Sequence, residues 1–162
     1  MSSLLIVGAG QLGKIAKEIA EASGFDKIDF LDDRASIAVG KMDEYEILAN
    51  KYDCGFVAFG DCKLRMQWID KLEAAGYNLT SLIHERAYVS SSASLGEGTI
   101  LQPGAMVNSN TTVGKGCILS IGALVDHDVL VEDGCHIETG AVVMPNTKID
   151  ELTVVKENTV WK

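Results

Sequence analysis

Apolar and polar positions follow two different rhythms in this chain, and the change falls near residue 84. In the first half, short apolar runs alternate with stretches of helical spacing. "LLIVG" (4–8), "KIDFLDD" (27–33), "CGFVAFG" (54–60) and "NLTSLIH" (78–84) read as strands. "QLGKIAKEIAEASG" (11–24) places Leu12, Ile15, Ala16, Ile19 and Ala20 on one helical face and closes on Gly24. "DCKLRMQWIDKLEAAGY" (61–77) does the same with Leu64, Trp68, Ile69 and Leu72, and "DEYEILANKY" (43–52) reads as a short helix. Alternation of this kind predicts a parallel sheet with right-handed crossovers.

The second half beats in sixes. From Ala87 the third place of each hexad is Val, Leu or Ile twelve times running, from Val89 to Val155. The first place is Ala, Thr, Cys or Val, and the sixth is mostly Gly, Asn or Asp. Side chains alternate along a strand, so places one and three share one side, and that side is buried. Gly, Asn and Asp tolerate the left-handed backbone that a sharp bend needs. A short strand and a bend every six residues closes a triangle after three bends. The twelve hexads predict about four stacked coils of a parallel β-helix. Trp161 takes the inward place of an incomplete thirteenth hexad and reads as a lid over the open end.

Composition narrows the partners. The net charge of −9 argues against a nucleic-acid binder, which needs a basic face. Anionic small ligands remain open, because backbone N–H groups can hold them. Cys54, Cys62, Cys117 and Cys135 form no CxxC pair, and no signal-peptide segment is evident, so a reducing cytoplasm is the expectation. Cys117 and Cys135 fall on first places and read as buried thiols. No apolar run is long enough for a membrane span.

Two stretches carry candidate chemistry. "GAGQLG" (8–13) holds Gly8, Gly10 and Gly13 in the G-x-G-x-x-G spacing, after a strand and opening a helix, with Asp32 about twenty residues on. The stretch before the repeats is too short for both halves of a dinucleotide fold. A shorter ligand with a diphosphate group fits better at the helix N-terminus, with Asp32 or Asp33 on a base or ribose. "FGDCKLR" (59–65) adds Gly60 for close approach and Asp61 as a polar contact or a helix cap. Arg65 reads equally as a surface residue or a diphosphate contact. The other stretch is "VDHDVLVEDGCHI" (125–137), with two of the chain's three histidines nine residues apart. His127 sits on a corner that needs no imidazole for folding. It is either an exposed corner histidine or a general base, since imidazole titrates near neutrality. Asp128 either serves the turn, or orients the imidazole and favours its protonated form, or does both. His136 holds an outward second place, half a coil away, so the two histidines are expected on different faces of one coil, and His136 reads as a ligand contact or as a histidine packed between subunits.

These motifs resemble the NeuD/PglD family of bacterial sugar acetyltransferases, which join a small Rossmann-like domain beginning as "LLIVGAGQLG" does to a left-handed β-helix of hexapeptide repeats. The resemblance implies domains over 1–84, binding the nucleotide sugar, and 85–162, the acetyltransferase β-helix. It implies His127 as general base with Asp128 beside it, and His136 near the thioester of acetyl-CoA. It also implies a homotrimer with active sites between adjacent β-helices. Glycines such as Gly122 and Gly140 are expected to let the pantetheine arm lie close to the coils. The family's "GNPAK"-like segment, which helps seat the coenzyme nucleotide, has no match in "TVVKENTVWK". The expected activity is acetyl transfer from acetyl-CoA to the amino group of a nucleotide-linked sugar, UDP-linked in the first instance, without a metal. O-acetylation of a sialic-acid-type sugar and a non-catalytic sugar-nucleotide scaffold are the alternatives. A zinc hydratase like the γ-class carbonic anhydrases needs three converging histidines. His84 precedes the first full hexad, and its spacing does not supply the third.

Overall fold

The computed structural model describes residues 2–162. They form two compact units that meet in sequence between Leu82 and Ile83. The first is a parallel four-stranded sheet of order β2-β1-β3-β4, from β1 (Ser3–Val7), β2 (Lys27–Leu31), β3 (Cys54–Val57) and β4 (Asn78–Leu79). Leu4, Leu5, Ile6 and Val7 are all fully buried, so both faces of β1 are covered, as a parallel sheet requires. Helix α1 (Gln11–Ala22) turns Ala16, Ile19 and Ala20 inward. It ends at Gly24, whose φ of +92° closes the last turn. Leu5, Val7, Leu31 and Val57 form a core with Trp68, Ile69 and Leu72, which come from a helix over Cys62–Ala74.

Three expectations need correction here. The helix expected over 43–52 is a 3₁₀ turn, one α-turn over Tyr45–Leu48 (α2) and a second 3₁₀ turn. None of its residues is fully buried, so too little packing holds a longer regular helix. The helix at Cys62–Ala74 (α3) stops short of Tyr77, because Gly76 turns left-handed at φ +88° and frees Tyr77 to pack into the core. The strand expected over 78–84 is two strands, β4 and Leu82–Ile83, the second aligned with the β-helix.

In the second unit every hexad from Ala87 contributes a two-residue strand at places two and three and a turn at places five and six. Strands eighteen residues apart pair in parallel, for example Met106↔Leu124 and Val107↔Val125. Three sheets result. The first face runs from Leu82–Ile83 through Ile118–Leu119 and His136–Ile137 to Val154–Val155. The second runs from Tyr88–Val89 through Leu124–Val125 to Val160–Trp161. The third runs from Ser94–Leu95 through Leu130–Val131 to Lys148–Ile149. Third-place residues from Leu101 to Val155 are buried in one core column, and Trp161 packs against its end. First places do more than fill space. Thr99 and Thr111 each donate a hydroxyl to a turn carbonyl of the next coil and accept an N–H from it. Cys117 and Cys135, both buried, direct their thiols to the carbonyls of Glu132 and Asp150 at 3.3 and 3.1 Å.

All sixth places from Gly98 to Asn158 are left-handed, with φ between 54° and 73°. Leu152 is the one branched aliphatic residue among them, at φ +58°. A side chain there costs about 1–2 kcal/mol, and Asn lowers that cost by bonding locally. Leu152→Asn is therefore expected to stabilise the β-helix by about 0.5–1 kcal/mol, read as a higher melting temperature. A lower one would mean that packing of the leucine outweighs its backbone strain.

Candidate active site at the second corner

The turn between Leu124–Val125 and Leu130–Val131 reads Asp126-His127-Asp128-Val129, and the repeat pins almost every backbone group in it. The Asp126 N–H donates to Val143 O at 3.0 Å and the Asp128 N–H to Ser109 O at 3.0 Å. The His127 carbonyl accepts from Asn146 N–H at 3.2 Å. Buried Thr111 clamps the turn, donating to Asp126 O at 2.6 Å and accepting from Val129 N–H at 3.2 Å. Asp128 takes the left-handed sixth place at φ +56°. Its carboxylate also meets the imidazole, with His127 Nδ1–H donating to Asp128 Oδ2 at 2.7 Å. An ionised carboxylate can only accept, so this bond leaves the Nε2 lone pair available to take a proton. Asp128 thus both fills the left-handed turn position and accepts from the imidazole. Both side chains are about half exposed, at 47% each, so a ligand can reach the ring.

A second carboxylate, on the residue before the histidine, holds its backbone. Asp126 Oδ1 accepts the His127 backbone N–H at 2.7 Å and an Asn108 amide hydrogen at 2.9 Å. The bond from His127 holds the Asp128 carboxyl below its ordinary 3.8; Asn108, then the His127 N–H, do the same for Asp126. Both groups therefore bind fewer protons folded than unfolded near pH 4. Their contribution to stability is complete above the unfolded value and drains as pH falls through the folded one. Asp32, lowered by the Ala9 N–H and then the Arg34 N–H, adds in the same sense. The melting temperature is expected to fall steeply only below about pH 4, with no inflection from these groups between pH 5 and 7.

Asp126 and Asn108 also rim a groove of about 330 Å³ on the second face, walled by Tyr88, Met106, Leu124 and Val142. Three of these walls are conspicuously exposed: Tyr88 at 55%, Met106 at 47% and Leu124 at 38%. His136 lies elsewhere, on the first face, with Nε2 at 2.9 Å from Ser120 Oγ. One chain thus holds His127 and His136 apart, as their nine-residue spacing requires. Beside His136 is a groove of about 400 Å³ lined by Ser120, Glu138, Thr139, Glu157 and Asn158. Gly122 and Gly140 occupy successive sixth places at the corner next to it, at φ +65° and +67°. Nothing lies within 4 Å of where a Gly122 Cβ would stand.

In the first unit the glycine loop is built as its spacing predicts. A Cβ on Gly13 would stand 2.2 Å from Gly8 O, so α1 rests directly on the loop. Gly10 is the N-cap of α1 and has open space around it, with no side chain capping the helix. Asp32 turns inward to this loop, accepting from Ala9 N–H at 2.9 Å and from the N–H groups of Arg34 and Ala35 at 2.8 and 3.0 Å. Asp33 accepts from Met42 N–H at 3.0 Å. Asp61 caps α3 by accepting from Leu64 N–H at 2.7 Å, next to Gly60, which has open space where a Cβ would stand. Arg65 corrects its surface reading. It is 1% exposed, and its guanidinium donates to Phe59 O and Gly60 O at 2.8 and 3.0 Å, holding the loop that carries Gly60. His84 accepts Arg86 N–H at Nδ1, a local turn contact. No group of three or more metal-ligating side chains gathers among the described residues. No helix of the described residues is long and apolar enough to cross a membrane.

The residues that sequence reasoning passed over are Asn108, Asn110, Thr111 and Ser120. Once the coil is known to take eighteen residues, counting back one coil from Asp126, Asp128 and Val129 finds the first three. Ser120 sits at the fourth place of the coil below His136.

The second unit is a coiled triangular prism of hexapeptide repeats with a histidine–carboxylate pair on one outer corner, and it follows in sequence a glycine-loop α/β unit. The model of the PglD N-terminal domain matches residues 3–72. UDP-N-acetylbacillosamine N-acetyltransferase of Bacillus subtilis (strain 168) is 31% identical over 111 residues, 62% of this chain and 51% of the relative. The match thus spans about half the length of that curated relative. The acetyltransferase domain of PglB from Neisseria gonorrhoeae FA1090, solved in complex with acetyl coenzyme A, superposes with a TM-score of 0.94 at 33% identity, covering 98% of this chain and 80% of that one. A histidine variant of perosamine N-acetyltransferase from Caulobacter crescentus, in complex with CoA and GDP-perosamine, superposes with a TM-score of 0.85 at 26% identity, covering 99% and 88%. The chain belongs to the NeuD/PglD family of sugar acetyltransferases.

Proposed function

We propose that this chain transfers acetyl from acetyl-CoA to the amino group of a nucleotide-linked amino sugar, with His127 as general base. The observation that carries the reading is the 2.7 Å bond from His127 Nδ1–H to Asp128 Oδ2 on an exposed corner, which leaves Nε2 to act on a ligand. A free amine must lose a proton as it becomes an amide. Nε2 takes that proton, and Asp128 balances the imidazolium that forms. The amine nitrogen bonds to the acyl carbon, the carbon–sulfur bond breaks, and the thiolate leaves to be protonated.

His136, Gly122 and Gly140 form the coenzyme side of this reading, since the Gly122 corner has room for a pantetheine arm beside the imidazole. The uncapped N-terminus of α1 with Gly8, Gly10 and Gly13 suits a diphosphate. Asp32 serves there by shaping the loop, and Asp33, Gly60 and Asp61 stand as candidate neighbours of the nucleoside. Because His127 and His136 lie apart in one chain, the reading uses a homotrimer, in which a neighbour's first face meets this corner. The exposed apolar second face supports association. UDP is the favoured nucleotide, following the Bacillus subtilis relative. Acetyl-CoA as donor fits a cytoplasmic reaction.

Thiol release from acetyl-CoA, followed with a panel of UDP- and GDP-linked amino sugars, tests the assignment. Turnover that needs the sugar amine supports it. Turnover with hydroxyl acceptors alone, or none with any acceptor, overturns it.

A further inference from the structure

We propose that Asn110, supported by Asn108, is a positioning residue for the histidine–aspartate pair, acting from the coil before it; this rests on the general-base reading above. Both asparagines stand eighteen residues before an aspartate that flanks His127, so the strand register stacks each directly beneath its carboxylate. Asn110 Nδ2 donates to Asp128 Oδ1 at 3.3 Å, while Asp128 Oδ2 accepts from His127 Nδ1. The two oxygens of Asp128 are thus divided between the coil below and the ring. Rotation of the carboxylate about its Cβ–Cγ bond would break both bonds together.

The asparagines are themselves fixed. Asn110 donates its backbone N–H to Ser92 Oγ at 3.0 Å, which anchors its turn to the coil below it again. Asn108 Oδ1 accepts Ser109 N–H at 2.8 Å, which orients the amide and points Nδ2 at Asp126 Oδ1, 2.9 Å away. Asp126 Oδ1 in turn holds the His127 backbone N–H. One asparagine therefore sets the backbone of the histidine and the other sets its ring. Neither reaches His127 directly, and each acts through a carboxylate. An acid in either place would set two carboxylates against each other across the stack. An amide supplies the donor without the charge.

Asn110 also occupies a left-handed sixth place at φ +57°, so truncation to Ala would confound loss of the amide with backbone strain. Asn110→Gly removes the amide and keeps the turn. In this variant kcat is expected to fall about tenfold, with the KM values for acetyl-CoA and sugar unchanged, because positioning of the base bears on the chemical step. The deciding measurement is a double-mutant cycle. In an Asp128→Asn background, Asn110→Gly should have no further effect on kcat, since the group it acts through is already altered. Asn110→Asp should be at least as impaired as Asn110→Gly, because it replaces the donor to Asp128 Oδ1 with a second carboxylate. Circular dichroism of each variant checks that the coils remain. A kcat within twofold of the parent, or a loss that persists undiminished in the Asp128→Asn background, overturns the proposal. If His127→Ala is inactive while Asn110→Gly behaves as the parent, positioning alone has failed. If His127→Ala turns over normally, the general-base reading has failed and takes this one with it.

Discussion

His127→Ala is expected to lower kcat by about 10²–10⁴-fold, the usual contribution of a positioned proton acceptor. The fold should not notice. His127 is half exposed at a fifth place where other hexads carry Ser, Lys, Ile or Glu, and its backbone bonds are all made by main-chain atoms or by Asp126. The KM for acetyl-CoA should change little. Asp128→Asn keeps the left-handed turn and one hydrogen-bond acceptor but removes the charge that balances the imidazolium, so its loss should be smaller than that of His127→Ala. A His127→Ala protein with parental turnover removes the histidine from the mechanism. A variant that unfolds would instead show that the corner needs the ring for stability, which its exposure argues against.

Gly13→Ala is expected to destabilise the first unit by about 3 kcal/mol, toward the upper end of overpacking costs. The added methyl would stand 2.2 Å from Gly8 O and 3.1 Å from Gly8 C, which are backbone atoms that no rotamer change can move aside. Relief requires α1 to lift from β1, which disturbs the loop at Gly8 and the Ala9 N–H that Asp32 holds. Sugar-nucleotide binding should weaken along with stability. Gly10→Ala is the informative contrast. A Cβ there meets nothing within 4 Å and φ is −73°, so the fold should tolerate it. A rise in the KM for the sugar nucleotide without a change in melting temperature would then assign Gly10 to ligand approach. If Gly13→Ala melts as the parent does, the helix–loop contact is softer than its geometry implies.

Much of this molecule is legible in one dimension because its interactions are periodic. Third-place aliphatics and sixth-place Gly, Asn and Asp each reflect one constraint, an inward side chain or a left-handed bend, so twelve hexads state the same structure repeatedly. The histidines stand out for the complementary reason, being residues that the repeat does not require. Legibility fails where a neighbour from elsewhere decides. Nothing in "DEYEILANKY" says that too little of it would be buried to hold a continuous helix. Arg65 looks like a surface residue until the carbonyls of Phe59 and Gly60 are seen to converge on its guanidinium. Thr99 and Thr111 look like small fillers until their hydroxyls are seen to bridge coils.

The sequence by itself determined the two-unit plan, the triangular coil, the glycine loop and the histidine–aspartate pair, because each follows from spacing within a short stretch of chain. Only the tertiary structure decided how that pair is held. Asn108 and Asn110 reach it across an eighteen-residue offset, and Thr111 across fifteen, offsets that become contacts only once the coils stack. The tertiary structure also decided that Asp32 and Asp61 accept from the backbone N–H groups of Ala9 and Leu64. A carboxylate reads the same in sequence whether it faces a ligand or an N–H group, and the difference lies in which donors the folded chain brings within about 3 Å.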